Sequence, residues 1–273
     1  MCSWPASVHE WADWGEVRGT PLHVLINNAG ANFMSVQPWF TEEGVAGLPQ
    51  VNFLGPLTLT WRLSGCLSKS AAASGQRSRI VNLCSLMHRH AQLPDDPNFF
   101  FTDWWVGGSY RNCKLALTCA TALLQEQLGS AGVDVLSVDP GAVYSGIWAT
   151  SEVWGRPPGS TLMRTLFATP DDACATTVHA AAAAEIVQGG YYARGLFSRP
   201  PIVGGASEPV AGAVSLFDWP LRSLGAWIGG GPAARIACVP VAPLAEEPCL
   251  APARALWDAA REKATRPPAG TQV

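Results

Sequence analysis

The sequence predicts an α/β protein built on a parallel sheet flanked by helices. Two observations carry this. Short apolar runs fall at 23–26, 79–84 and 132–138, continuous rather than alternating with polar residues, as strands covered on both faces require. Between them lie longer stretches with helical spacing, enough chain to return from the end of one strand to the start of a parallel neighbour. With 273 residues, 48% apolar and 14% charged, the chain can bury a sizeable core.

Each element has its own signal. Trp4, Val8, Trp11 and Trp14 recur at helical spacing, with Ser3 as cap and Pro5 in the first turn. His23-Val24-Leu25-Ile26 reads as a buried strand running into the loop Asn27-Asn28-Ala29-Gly30. A long helical pattern covers about Thr41 to Ala73, broken near Pro49 and Pro56. Arg79 to Cys84 is the second strand, and a loop rich in Pro, Asp and aromatics follows to about Gly108. A helix then runs from Tyr110 to about Leu128, and the strand Gly132 to Val138 ends in Asp139-Pro140-Gly141. Thr169-Pro170-Asp171-Asp172 opens another helix with a cap, a proline at its first position and acid in its first turn. Residues 195–248 are rich in Gly and Pro and show no clear element, and Ala251 to Lys263 closes the chain as a helix. No internal repeat is visible.

Composition excludes several functions. A net charge of −3 leaves no electrostatic footprint for nucleic acid or an anionic membrane. The eight cysteines form no CxxC pair or zinc spacing and sit mostly among apolar neighbours, as reduced thiols of an intracellular protein would. No basic segment followed by an apolar core marks a secretory signal at the N-terminus. The apolar stretch from Pro209 is cut by Asp218 and Arg222 and is too short to span a bilayer. The expected location is therefore intracellular, cytoplasmic or membrane-associated.

The chemistry centres on Tyr110 and Lys114, four residues apart and so on one helix face. An ammonium beside a phenol favours the phenolate, and a phenol tuned that way can exchange a proton with an alcohol or carbonyl. Only three of the eighteen basic residues are lysine, so a lysine here is a marked choice. By itself the pair also fits a surface tyrosine and a solvated lysine, and its surroundings must decide. His88 and His90, with Asp95 and Asp96 nearby, raise a metal site, but no further ligand falls at the right spacing and no metal is expected.

Five ordered motifs resolve the choice: Leu25-Ile26-Asn27-Asn28-Ala29-Gly30, Val51-Asn52-Phe53-Leu54-Gly55, Arg79-Ile80-Val81-Asn82-Leu83-Cys84-Ser85, Tyr110-x3-Lys114-Leu115-Ala116 and Asp139-Pro140-Gly141-Ala142-Val143. Together they resemble the short-chain dehydrogenase/reductases, in particular the retinol-dehydrogenase-like and WW-domain-oxidoreductase-like members. The likeness covers about Ser3 to Ile147 and thins beyond, to Thr169-Pro170-Asp171-Asp172, Gly189-Gly190-Tyr191-Tyr192 and the helix at Ala255-Leu256-Trp257. It implies a single Rossmann-type domain over 1–273, with the cofactor and catalytic core in 1–147 and the substrate loop and C-terminal region in 148–273.

The resemblance also implies roles. Tyr110 would be the acid/base, Lys114 would lower its pKa and hold the nicotinamide ribose, and Ser85 would bond the substrate oxygen. Asn52 would hold a water linking Lys114 to solvent. Pro140, Gly141, Ala142 and Val143 would line the nicotinamide, with Ser145 at the carboxamide in place of the usual threonine. Asn27, Ala29 and Gly30 would steady the sheet beside the adenosine half. The implied reaction interconverts an alcohol and its carbonyl with NADP or NAD, NADP being slightly favoured. Cys84 and Cys113 stand where serines are usual, as packing changes. Trp148, Trp154, Trp219 and Trp227 suit a lipophilic pocket for a retinoid- or steroid-like substrate, or equally core packing or membrane-surface contact.

One departure bears on activity. In the family a strand and Gly-rich turn hold the pyrophosphate ahead of the Asn-Asn-Ala-Gly strand, and this chain starts after them. Gly229-x-Gly231-x-x-Ala234 matches only formally and reads as a loop. The expected fold is therefore an N-terminally truncated Rossmann-type sheet whose first strand is an open edge. The alternative to an active enzyme is a non-catalytic remnant that binds a partner, in an oligomer or along that edge.

Overall fold

A computed structural model describes residues 20–32, 37–194, 236–240 and 247–265. Five strands form one sheet in the order β1-β2-β3-β4-β5: β1 (Val24–Asn27), β2 (Ser78–Leu83), β3 (Val133–Asp139), β4 (Gly190–Arg194) and β5 (Ile236–Pro240). The first four are parallel. β5 runs antiparallel to β4 and departs from the all-parallel expectation, which neither β4 nor β5 had entered. Both fell outside the apolar-run signal: β4 opens on glycine and tyrosine, and β5 lies within the Gly- and Pro-rich stretch.

The helices α1 (Gly55–Ser74), α3 (Tyr110–Leu128) and α6 (Glu247–Thr265) share one face of the sheet with the main core, which includes Leu25, Ile80, Val135, Leu67, Leu124 and Trp257. Trp61 of α1 meets Trp257 of α6 edge to face at 5.0 Å. On the opposite face α5 (Pro170–Ala182) covers a smaller cluster of Val81, Leu136, Val138, Ala180 and Tyr192. Among the described residues no helix covers β1 on this face: Leu25 is buried in the main core, while Val24 and Ile26 on the other side are 38% and 42% exposed. β1 stands at one end of the described sheet.

The long helical pattern after β1 begins later than expected and is not broken by its prolines. Residues 41–46 form a turn and a bridge, one helical turn spans Gly47–Pro49, and a π-helical stretch, Gln50–Leu54, leads into α1. Pro49 sits in a first turn, where its missing N–H costs nothing. Pro56 follows a bond from Gly55 N to Gln50 O that spans five residues, so the wider turn absorbs the proline. α1 stops where Gly75 turns left-handed, with φ 69°.

The loop expected between Cys84 and Gly108 contains a 3₁₀ turn, Leu86–His90, and a short helix, α2 (Pro97–Thr102), which Asp96 caps by accepting from Asn98 N at 2.8 Å. Phe100 and Phe101 of α2 pack on Phe53. The Thr169 cap is as read: its hydroxyl accepts from Asp172 N at 3.2 Å. A further helix, α4 (Gly159–Leu166), precedes it. Cys84, Cys113 and Cys119 are buried free thiols, but Cys174 is exposed. The helix read at Ser3–Trp14, Trp219, Trp227, the apolar stretch from Pro209 and the Gly229 match lie outside the described residues.

Candidate active site

The C-terminal ends of β1, β2 and β3 and the start of α3 bring together the four residues assigned to catalysis. Tyr110 and Lys114 lie in the first turns of α3, with Lys114 Nζ 5.6 Å from the Tyr110 ring centroid. The Ser85 side chain lies close enough to the Tyr110 phenol to lower its pKa. Lys114 is 3% exposed, and its ammonium donates to Leu83 O at 2.7 Å. A second hydroxyl and a buried cation are thus held at the phenol.

The electrostatics overturn one expectation. Burial pushes the Tyr110 pKa up to about 12; the Ser85 hydrogen bond opposes this and the Asp139 carboxylate adds to it. Lys114 does not hold this tyrosine below its ordinary value in the chain by itself. Removing a phenolate from water costs more than an ammonium returns when its hydrogen bond goes to a backbone carbonyl. Burial also lowers the Lys114 pKa, while the neighbouring Cys84, Cys113 and Asp139 work to raise it. Burial likewise raises the Cys84 pKa.

Asn52 lies in the π-helical stretch and is fully buried. Its Oδ1 accepts from Ala31 N at 3.0 Å, and its Nδ2 donates to Ala31 O at 2.9 Å and Leu48 O at 3.0 Å. The side chain therefore fastens the loop after β1. Gly30 is exposed beside this site, and a Cβ there would stand 3.2 Å from Asn52 Oδ1 and 3.3 Å from Lys114 Nζ. Ala29 is exposed on the same loop. Asn27 points the other way: its Nδ2 donates to Thr60 Oγ1 at 3.0 Å and Asn82 Oδ1 at 2.8 Å, within the sheet.

After β3, Gly141 adopts φ 78°, which a side chain would strain, and its N–H donates to Asp139 Oδ1 at 2.9 Å. Val143 pairs with Ala168, and Trp148 Nε1 donates to Val143 O at 2.8 Å. Ser145 caps the short turn Gly146–Trp148, and Pro140 is partly exposed at the strand end. These residues form one loop on the same side of the sheet as Tyr110.

The described residues fit the ribose and nicotinamide end of a dinucleotide. Gly30 leaves space where a Cβ would crowd Lys114, the ammonium has donors beyond its bond to Leu83, and Gly141 lets the backbone turn closely. A strand and Gly-rich turn for a pyrophosphate are not among the described residues.

Sequence reasoning passed over four residues that build this site. Asn112 donates to Val106 O and Gly107 O and accepts from Gln92 N, fixing the entry to α3. Asp139 appeared only as part of a turn, yet it is a 2% exposed carboxylate acting on Tyr110 and Lys114. His88 was weighed only as a metal ligand, and Tyr191 was noted only as part of a motif. A charged residue closing an otherwise apolar strand was the available signal for Asp139.

A family model described as short chain dehydrogenase matches residues 5–154. Polyprenol dehydrogenase of Danio rerio is 36% identical over 186 residues, 66% of this chain and 55% of that protein. Retinol dehydrogenase 13 of Homo sapiens is 31% identical over 196 residues, covering 70% and 57%. WW domain-containing oxidoreductase of Pongo abelii is 30% identical over 190 residues, covering 66% and 44%. The chain spans about half the length of these curated relatives.

Proposed function

Because this chain belongs to the short-chain dehydrogenase family, in its retinol-dehydrogenase-like branch, we propose that it interconverts an alcohol and its carbonyl with a nicotinamide dinucleotide. The observation that carries this reading is the Tyr110 phenol with Ser85 acting on it and the buried Lys114 Nζ 5.6 Å from its ring. The dinucleotide, when bound, supplies or takes the hydride. Ser85 and Tyr110 hydroxyls bond the substrate oxygen, and Tyr110 gives a proton to it in reduction or accepts one in oxidation. Lys114 holds the ribose hydroxyls with its free donors and passes protons through a water held at Asn52. Gly141 and Val143 would line the nicotinamide, Ser145 would meet its carboxamide, and Gly30 and Ala29 would border the other half.

A lipophilic substrate is supported by two features. Met87 and Trp154, near Ser85 and in the loop after Ser145, are 40% and 39% exposed, offering apolar surface. Relatives named for retinol and polyprenol set the classes to try, and NADP is the dinucleotide to try first.

Fluorescence titration of the full chain with NADPH should show saturable binding, with NADP-dependent oxidation of retinol or a long-chain polyprenol. Tyr110→Phe should keep the binding and reduce turnover about 10²–10⁴-fold. Equal turnover in this variant, or no binding of either dinucleotide, sinks the reading.

A further inference from the structure

Beneath Ser85 lies a set of buried polar groups that proton transfer does not itself use. Ser85 opens the 3₁₀ turn Leu86–His90, and its hydroxyl accepts from Met87 N at 3.3 Å. The turn folds His88 back under the serine. His88 N donates to Ser85 O at 3.1 Å, and His88 Nδ1 lies 2.6 Å from the same oxygen. A carbonyl only accepts, so Nδ1 carries the proton and the ring is the neutral Nδ1–H tautomer. The ring is buried, and burial holds its pKa down to about 4.

Tyr191 closes the other side. It is fully buried in β4, with its ring 5.4 Å from His88 at an interplanar angle of 62°. The Asp139 carboxylate acts on its hydroxyl and, with burial, holds its pKa well above the ordinary value. The phenolic oxygen faces His88 Nδ1 at 3.4 Å, as a second, longer acceptor for its proton. Asp139 also accepts from Gly141 N. Ser85, His88 and Tyr191 thus form one run of contacts from the end of β2 to β4, beside the Asp139–Gly141 turn.

We propose that His88 and Tyr191 are positioning residues for the Ser85–Tyr110 pair. His88 clamps the Ser85 carbonyl, so that the seryl hydroxyl meets the phenol. Tyr191 holds that clamp from β4, beside the Asp139–Gly141 turn. An arrangement needed only for packing would require neither the short Nδ1–carbonyl bond nor the buried tyrosine hydroxyl facing the same nitrogen. The catalytic consequence rests on the oxidoreductase reading above, whereas the geometric one does not.

Two readouts on the full chain separate these. The first is the ¹³Cζ resonance of Tyr110 in protein labelled at tyrosine, assigned by its loss in Tyr110→Phe. The second is kcat and KM with NADP and retinol or a polyprenol. His88→Leu removes the donor, His88→Asn supplies an amide N–H near the Nδ1 position, and Tyr191→Phe removes only a hydroxyl.

His88→Leu and Tyr191→Phe should move the Tyr110 resonance and lower kcat about 10–100-fold, leaving KM within about threefold, as small misplacements of reacting groups do. His88→Asn should restore most of both. Tyr191→Phe carries the test if His88→Leu does not fold. An unmoved resonance with wild-type kcat in folded variants overturns the proposal, as does a His88→Asn variant as impaired as His88→Leu. If the wild type turns over no alcohol or carbonyl, the oxidoreductase reading fails, and the resonance still decides the clamp.

Discussion

At the level of single residues, the spacing of Tyr110 and Lys114 singled out the candidate proton-transfer groups, but their electrostatics were not legible. Spacing shows that two side chains share a helix face. It does not show how far the phenol is withdrawn from water, which here outweighs the cation and holds the tyrosine near 12. The pH dependence follows. Acting as an acid in reduction, Tyr110 stays protonated across the neutral range, so kcat/KM for a carbonyl should be flat from about pH 6 to 10. Acting as a base in oxidation it must be ionised, so log kcat/KM for an alcohol should climb with pH across that range. Initial rates in both directions, at low dinucleotide, check this; an oxidative plateau near pH 8 would show that another group sets the profile. Asp139 and His88 were missed because their importance comes from neighbours on β4 and α3, distant in sequence.

Among the elements, the boundaries of α3 and the three apolar strands were readable within a residue or two, because each carries a strong periodic signal and a terminal breaker. The π-helical stretch was not, since Pro56 reads as a helix breaker and only the packed structure shows the wider turn that accommodates it. Asn27 and Asn82 illustrate how elements are joined. Asn82, fully buried, accepts from Asn27 and donates to Thr121 Oγ1 at 3.0 Å, so one side chain ties β1, β2 and α3. Asn82→Ala strands two buried partners and should cost about 2–4 kcal/mol, roughly one to two unsatisfied groups. Urea unfolding followed by circular dichroism measures this, and a loss well under 1 kcal/mol would mean the network is dispensable.

For the molecule as a whole, the buried neutral His88 makes stability depend on acid. Its folded pKa, about 4, lies below the ordinary value of 6.5, so between these the unfolded chain binds the extra proton. Stability is fully present above about pH 6.5 and falls as pH drops towards 4. The 2.5-unit difference corresponds to about 3 kcal/mol from this one group. Thermal unfolding from pH 7 to 4 should show a decline that His88→Asn reduces; an unchanged slope in that variant would assign the loss to other groups. The same scale shows the uneven cover of the sheet. One face is sealed by α1, α3 and α6, whereas Val24 and Ile26 of β1 remain exposed on the other.

The sequence alone determined the α/β class, the order of the first three strands and helices and the family resemblance, and it singled out Tyr110, Lys114, Ser85 and Asn52 as candidates, because these are local patterns at fixed spacing. The tertiary structure alone decided the antiparallel β5, the high pKa of Tyr110, and the contacts from Ser85 through His88 to Tyr191. Each of these depends on which groups meet across the sheet and how much water is removed from between them, and no local pattern encodes that.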